Sequence, residues 1–243
     1  MNTAVPLITL DPRSHVYSCN GNRLESVSSL VKRVTPQFDA DYHAARIAAK
    51  QGKTKDQVLA EWAEKRDTGL DTGRKLHWFV ERVVGGSDGQ AELSQILEAK
   101  AFDALDKCKS WLDWWRNTGS KSLEVLACEK IVGDPELGFA GTPDLLANSK
   151  KTSQAHLLDW KQNKAFRTEN QYGERLLPPF GDLWNCELAT YSLQVELYAL
   201  ALERGGQPCG DGWVLHLSPE RATPHKALRL RERALEWVKG LNL

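Results

Sequence analysis

No stretch of about 18 consecutive apolar residues occurs anywhere in the chain, so nothing reads as a membrane-crossing helix. The opening, MNTAVPLITLDPRSH, has a short apolar run but neither a basic lead nor a cleavage-like ending, so it does not read as a secretory signal. A cytosolic protein is expected, with no membrane partner. Cysteine pairs are also missing: Cys19, Cys108, Cys128, Cys186 and Cys209 are odd in number and none stands in a C-x-x-C pair. That argues against a disulfide framework or a zinc ribbon and fits a reducing compartment. There is no net charge, since 32 Lys and Arg balance 32 Asp and Glu, so no long-range positive field draws the molecule onto a phosphate backbone. Any nucleic-acid contact must use a local patch. Internal repeats, low-complexity tracts and a G-x-x-x-x-G-K-[ST] loop are absent, and with the last goes a built-in nucleotide-driven motor.

What is present is an ordinary globular composition, 26% charged and 41% hydrophobic over 243 residues, enough for one domain with embellishments. In HVYSCNGNRLE an Asn-Gly pair between two short strand-like runs predicts a hairpin with a type I′ turn. From about 26 to 83 apolar residues recur at helical spacing, as in Val58, Leu59 and Trp62, then Leu76, Phe79, Val80 and Val83, with Gly52 and Gly69 as breaks. A second helical stretch, about 90 to 117, carries Trp111, Trp114 and Trp115. Past Gly119, LEVLACEKIV, FAGTPDLLAN and AHLLDWKQ predict a three-stranded antiparallel meander. A long loop with Gly173, Pro178, Pro179 and Gly181 follows, then a helix over ELATYSLQVELYALALERG, a strand GWVLHL, and an amphipathic helix over about 226 to 240. The expected fold class is α/β (α+β): residues 119–243 form the core, with a mixed central sheet flanked by helices. Residues 1–118 form an N-terminal hairpin and helical cap, one compact unit with that core.

Asp144 stands inside an apolar strand pattern, and Asp159 and Lys161 stand two apart at the end of the next strand, so they share one face. Adjacent antiparallel strands would bring the three together. Two buried carboxylates side by side are costly unless a cation neutralises them, and an oxygen-rich cluster is the kind of site that Mg²⁺ or Mn²⁺ occupies. Such an ion can polarise a phosphoryl oxygen and acidify a water, and a neighbouring lysine can position that water or stabilise charge on phosphorus. Glu129, on the preceding strand, could complete the acidic cluster. An isolated Asp-x-Lys pair is usually a solvated strand end. Here it follows Leu157 and Leu158, with a second aspartate in another apolar run.

These residues resemble the PD-(D/E)XK nuclease superfamily and, within it, the RecB-like and phage exonuclease branch. Pro143 and Asp144 in GTPD match the second motif, and Asp159, Trp160 and Lys161 the D-x-K motif. Gly73 and His77 in TGRKLHWFVE match the branch's G-x-x-x-H, and Gln194 and Tyr198 in YSLQVELYAL its Q-x-x-x-Y. The resemblance spans roughly residues 68 to 217, and the N-terminal hairpin and helices look like the cap of related phage proteins. It implies a restriction-endonuclease-like core and Mg²⁺- or Mn²⁺-dependent hydrolysis of DNA. His77, Asp144, Asp159 and Glu129 would be ligands, helped by the carbonyl after Asp159. Lys161 would be the catalytic lysine, and Gln194 would orient the site or contact substrate. An exonuclease acting on single-stranded or duplex DNA ends in recombination, replication or repair is expected, in the host cytoplasm if phage-encoded, with any motor or recombination partner a separate polypeptide. Iron–sulfur members of the branch use four clustered cysteines; here the cysteines are scattered, and no cluster is expected. The motifs leave open a structure-specific endonuclease, an inactive DNA-binding module, and the oligomeric state. An RNA substrate is disfavoured, since no RRM or KH motif is visible.

Other residues admit two readings each. Glu81, one turn beyond His77, could touch the metal or pair with Lys75 or Arg82. Trp111, Trp114 and Trp115 could stack on unpaired bases, but the spacing of Trp111 and Trp115 favours a core stripe. The loop from Lys164 to Arg175, with Lys164, Arg167 and Arg175 among Phe166 and Tyr172, leaves the strand carrying Lys161 and could guide a DNA strand. Lys164, Arg167, Gln194 and Tyr198 are therefore the candidate DNA contacts.

Overall fold

The computed structural model describes residues 7–241 and 243; residues 1–6, the first part of the opening run read for a signal, lie outside them. Contacts divide the chain into a strand-rich unit, Met1–Pro36 with Ser110–Leu243, and a helical unit, Gln37–Lys109.

In the strand-rich unit, short alternating runs form β1 (Ile8–Asp11), β2 (Val16–Cys19) and β3 (Asn22–Ser26). The Asn-Gly pair makes the turn between β2 and β3 as the sequence predicts: φ is 51° at Asn20 and 81° at Gly21, the positive values a type I′ turn demands. Ser26 then caps α1 (Val27–Arg33), its hydroxyl accepting the Ser29 N–H at 3.1 Å. From α5 (Phe102–Trp114) the chain passes through a π-helical turn (Trp115–Gly119) and α6 (Ser120–Ser122) into β4 (Leu123–Cys128), β5 (Val132–Asp134), β6 (Phe139–Gly141), β7 (Leu145–Ser149) and β8 (Ala155–Lys161). Next come α7 (Glu187–Arg204), β9 (Gly212–Leu217), β10 (Ala222–Lys226) and α8 (Arg231–Lys239).

The described strands form two mixed sheets. One has the order β1-β2-β3-β6-β5, with β3 and β6 parallel; the other has β10-β9-β8-β7-β4, with β8 and β9 parallel. The expected meander survives as β4-β7-β8, antiparallel throughout. Its first two runs, however, each break in two. Ile131 onward turns away at Glu129 to form β5, and Phe139–Gly141 form β6 in the other sheet, so Asp144 sits in a bend at the mouth of β7 rather than inside a strand. The terminal helix begins at Arg231 rather than near 226, because Ala222–Lys226 form an edge strand in which Pro224 withholds no inner hydrogen bond.

α7 is apolar on nearly every side because it packs against β5, β8, β9, α1 and α8 at once. Leu193, Val195 and Leu197 of α7 share one core with Leu146, Leu157, Val214 and Phe139, each such side chain contributing about 1.5–3 kcal/mol.

In the helical unit, Asp39 caps α2 (Ala40–Gln51), and Thr54 and Gln57 form a reciprocal capping box at the start of α3 (Lys55–Val84). Ala44, Ala48 and Val58 pack with Ile47, Leu59 and Trp62. The break expected at Gly69 does not occur. α3 runs through it for 30 residues, the interior glycine costing only about 1 kcal/mol. α4 (Gln90–Glu98) follows. Among the described residues no helix is long and apolar enough to cross a membrane.

Candidate active site

The pleat of β8 decides which side chains meet. Leu157, Asp159 and Lys161 project to one face, while Leu158 and Trp160 project to the other. On that second face Trp160 meets Trp111 edge to face at 5.9 Å, and Trp111 stacks on Trp115 at 5.5 Å; Trp111 is fully buried in the core, while Trp114 and Trp115 are half-buried. This packing anchors the strand end from behind.

On the first face, Asp159 is 2% exposed and Asp144 6%. Leu145 pairs with Leu158, so Asp144, one residue earlier, comes level with Asp159. The Asp144 carboxylate accepts the Trp160 N–H at 2.5 Å, which fixes its orientation. Lys161 Nζ lies 2.5 Å from Asp159 Oδ2 and 4.9 Å from the centre of the Tyr191 ring. Burial pulls the Lys161 ammonium downward, but Asp159 and Asp144 more than offset this, and its pKa stands above the ordinary lysine value.

Glu129 lies just past β4 rather than on it, with φ at 48°, and its N–H donates to the Asp144 carbonyl at 3.1 Å. The left-handed backbone turns its half-buried side chain toward Asp144, and the two residues offer carboxylate oxygens within 4.8 Å of each other. Asp159 and Asp144 thus flank the Lys161 ammonium, with the Glu129 carboxylate beside Asp144. That surplus of negative, hard oxygen donors in a largely buried setting fits a divalent cation.

Tyrosines that sequence reasoning missed enclose this group. Tyr17 of β2 shares a hydrogen bond with Thr142 at 2.9 Å, and burial, then the charge of Glu129, pushes its hydroxyl upward. Tyr191 donates to Asn163 Oδ1 at 2.7 Å, and burial likewise raises its pKa. The only sequence signal for either is membership of an alternating or helical apolar pattern. The two expected positions on α7 meet each other: the Gln194 side-chain amide donates to the Tyr198 hydroxyl at 2.8 Å. Burial first, and Asp159 next, hold Tyr198 well above the usual phenol value, so its hydroxyl stays protonated beside the acidic group.

The other candidates stand on other elements. His77 is half-buried on α3 in the helical unit, one turn after Gly73. Glu81 is exposed; Lys75 pairs with Asp71, and Arg82 with Glu92 at 3.2 Å. Lys164 is exposed, whereas Arg167 is tied to Glu187 at 3.3 Å and Arg175 stacks 3.3 Å above Trp184. Cys19, Cys108, Cys186 and Cys209 are buried free thiols, and Cys128 is half-buried.

A β-strand ending in Asp-x-Lys, beside a buried aspartate at the mouth of its neighbour, defines a class of phosphodiester-cleaving sites. The model of the PD-(D/E)XK nuclease superfamily matches residues 41–236, which include every site residue expected from the sequence but not Tyr17. The chain belongs to this superfamily, whose members are metal-dependent nucleases with DNA as substrate. Among solved structures, one titled "Crystal structure of SSO0001" is similar at 15% identity and a TM-score of 0.34, covering 90% of this chain and 76% of that one. No curated protein matches the chain.

Proposed function

We propose that the protein is a Mg²⁺- or Mn²⁺-dependent exonuclease that acts on DNA ends in recombination, replication or repair, within the RecB-like and phage branch of its superfamily. The observation that carries this reading is the 2.5 Å pair of Lys161 with Asp159 beside buried Asp144. Asp144, Asp159 and Glu129 would hold the ion. His77, whose assignment rests on the G-x-x-x-H spacing, would be a further ligand from the helical unit, and the carbonyl of Trp160 another.

When bound, the ion supplies Lewis acidity toward a phosphoryl oxygen and toward the attacking water. Lys161 holds its proton and presents positive charge where negative charge grows on phosphorus. Asp159 positions that ammonium, and the Trp160 N–H holds Asp144 in place. Gln194 and Tyr198 offer a hydrogen-bonding edge for orienting the site or a substrate phosphate, and Lys164 a cation for the departing strand. The preference for ends is supported by the paired G-x-x-x-H and Q-x-x-x-Y motifs, and the cytoplasm suits the scattered thiols.

The test is cleavage of end-labelled linear and covalently closed circular DNA with Mg²⁺, with Mn²⁺ and with chelator. Loss of the linear substrate alone, in the presence of metal, is expected. Equal cutting of the closed circle would replace the exonuclease by an endonuclease, and binding without cleavage of either would make the chain an inactive binding module.

A further inference from the structure

One cleft in the strand-rich unit lies beside the acidic group and plays no part in holding it. Its cavity of about 420 Å³ is lined by Phe166, His216, Ser218, Thr223 and His225, with Glu220 and Arg221 also on its wall. That volume falls within the range of roughly 300–1,000 Å³ typical of ligand pockets.

Strand register places it. His216 of β9 is the partner of Lys161 on β8, and Thr223 of β10 is the partner of His216. Cross-strand partners face the same way, so the line from Lys161 through His216 to Thr223 crosses one side of the sheet in steps of about 4.8 Å. The loop after Lys161 is held onto the same line. His216 Nε2 bonds the Asn163 carbonyl at 2.8 Å, and Phe166 stacks on His225 at 3.9 Å with an interplanar angle of 13°. Phe166 also lies 5.7 Å from His216.

The lining is unusual for a packing defect, which would be aliphatic and dry. Here aromatic planes are joined by hydroxyls, one guanidinium and one carboxylate. Burial, with His216 nearby, holds His225 below the usual imidazole value, so near neutral pH it contributes an uncharged ring. A planar group with π faces and a rim of donors and acceptors fits this set: Phe166 and His225 offer stacking, Glu220 can accept from an exocyclic amine, and Arg221 can meet an acceptor edge or a flanking phosphate.

We infer that the cleft is a nucleobase pocket, which takes an unpaired base of the DNA strand whose backbone passes over Lys161. The inference rests on the nuclease reading for which strand occupies it, but not for the pocket's own chemistry. An aliphatic or anionic small molecule would not use the stacked rings, and a paired base would not expose its faces.

The test uses single-stranded oligonucleotides carrying 2-aminopurine at successive positions, titrated with the full-length protein in chelator so that nothing is hydrolysed. Quenching confined to one or two positions is expected. Phe166→Leu, which keeps apolar volume but removes the ring, should abolish that quenching and weaken binding by about 5- to 100-fold. An abasic site at the quenched position should weaken wild-type binding to a similar degree and cause no further loss in Phe166→Leu, whereas Phe166→Trp should restore quenching. His225→Asn, on the edge strand, serves as the second variant should Phe166→Leu lose its native circular dichroism. Uniform quenching along the strand, or losses from the abasic site and from Phe166→Leu that simply multiply, would overturn the pocket. The two readings fail separately: metal-dependent hydrolysis with no position-dependent quenching removes the pocket alone, and quenching without hydrolysis removes the nuclease alone.

Discussion

Replacing Gly141 by alanine probes the packing behind the site without touching a charged group. A Cβ built at this position would stand 2.4 Å from Cε1 of Tyr198 and 3.2 Å from Cβ and Cγ2 of Val27. Ordinary contact begins at 3.4 Å, so the tyrosine ring must retreat by about 1 Å, the difference between 2.4 and 3.4 Å. The ring is buried, and its hydroxyl takes the hydrogen bond from Gln194, so it cannot swing into solvent. Overpacking of this kind costs about 1–3 kcal/mol, a fall in Tm of roughly 2–12 °C for a chain of this size. Residue 141 also begins the Gly-Thr-Pro-Asp turn that delivers Asp144, and misplacement by about 1 Å can lower a rate by up to about 10²-fold. Urea unfolding with an unchanged m value, alongside a hydrolysis rate on linear DNA, measures both effects. Adding Tyr198→Leu to Gly141→Ala should cost less than the sum of the single changes, because the leucine vacates the clashing position. A Gly141→Ala protein within about 0.5 kcal/mol of the wild type and fully active would refute the reasoning.

Two further outcomes follow from charge and burial. At a Mg²⁺ concentration about tenfold above its Kd, the wild type should gain roughly 1.4 kcal/mol and melt correspondingly higher, while Asp144→Asn with Asp159→Asn should melt at the same temperature with and without the ion; a thermal-shift titration decides it. Burial pushes the Cys108 thiol up to about 12 and the Cys209 thiol to about 11, so thiol-specific labelling of the native protein at pH 8 should reach half-buried Cys128 well before either, and rapid native modification of Cys108 would contradict its burial.

Local signals were the legible ones. The Asn-Gly turn, the apolar alternation that sets Asp159 and Lys161 on one face of β8, and the four-residue step from Gln194 to Tyr198 all depend on near neighbours, and the structure follows them. Where a long-range partner decides the conformation, the sequence misled. Val132–Asp134 and Phe139–Gly141 are too short to declare themselves as strands, and they form because β3 offers an edge for parallel pairing. Ala222–Lys226 reads poorly as a strand because of Pro224, which only an edge position tolerates. Gly69 looks like a break yet lies in mid-helix, its cost outweighed by the rest of α3. In the site, the carboxylates and lysine were visible as departures from an apolar pattern. Tyr17, Tyr191 and the pairing of Phe166 with His225 were not, since each gains its role from a residue at least 25 positions away.

The central claim is that Asp144, Asp159 and Lys161 form the hydrolytic centre, and the most direct test is the Mg²⁺-dependent cleavage rate of end-labelled linear DNA by the wild type and by Lys161→Met, with folding checked by circular dichroism. Losing the Lys161 cation should lower the rate by at least about 10²–10³-fold while DNA binding persists. A folded Lys161→Met protein that cleaves at the wild-type rate would contradict the account.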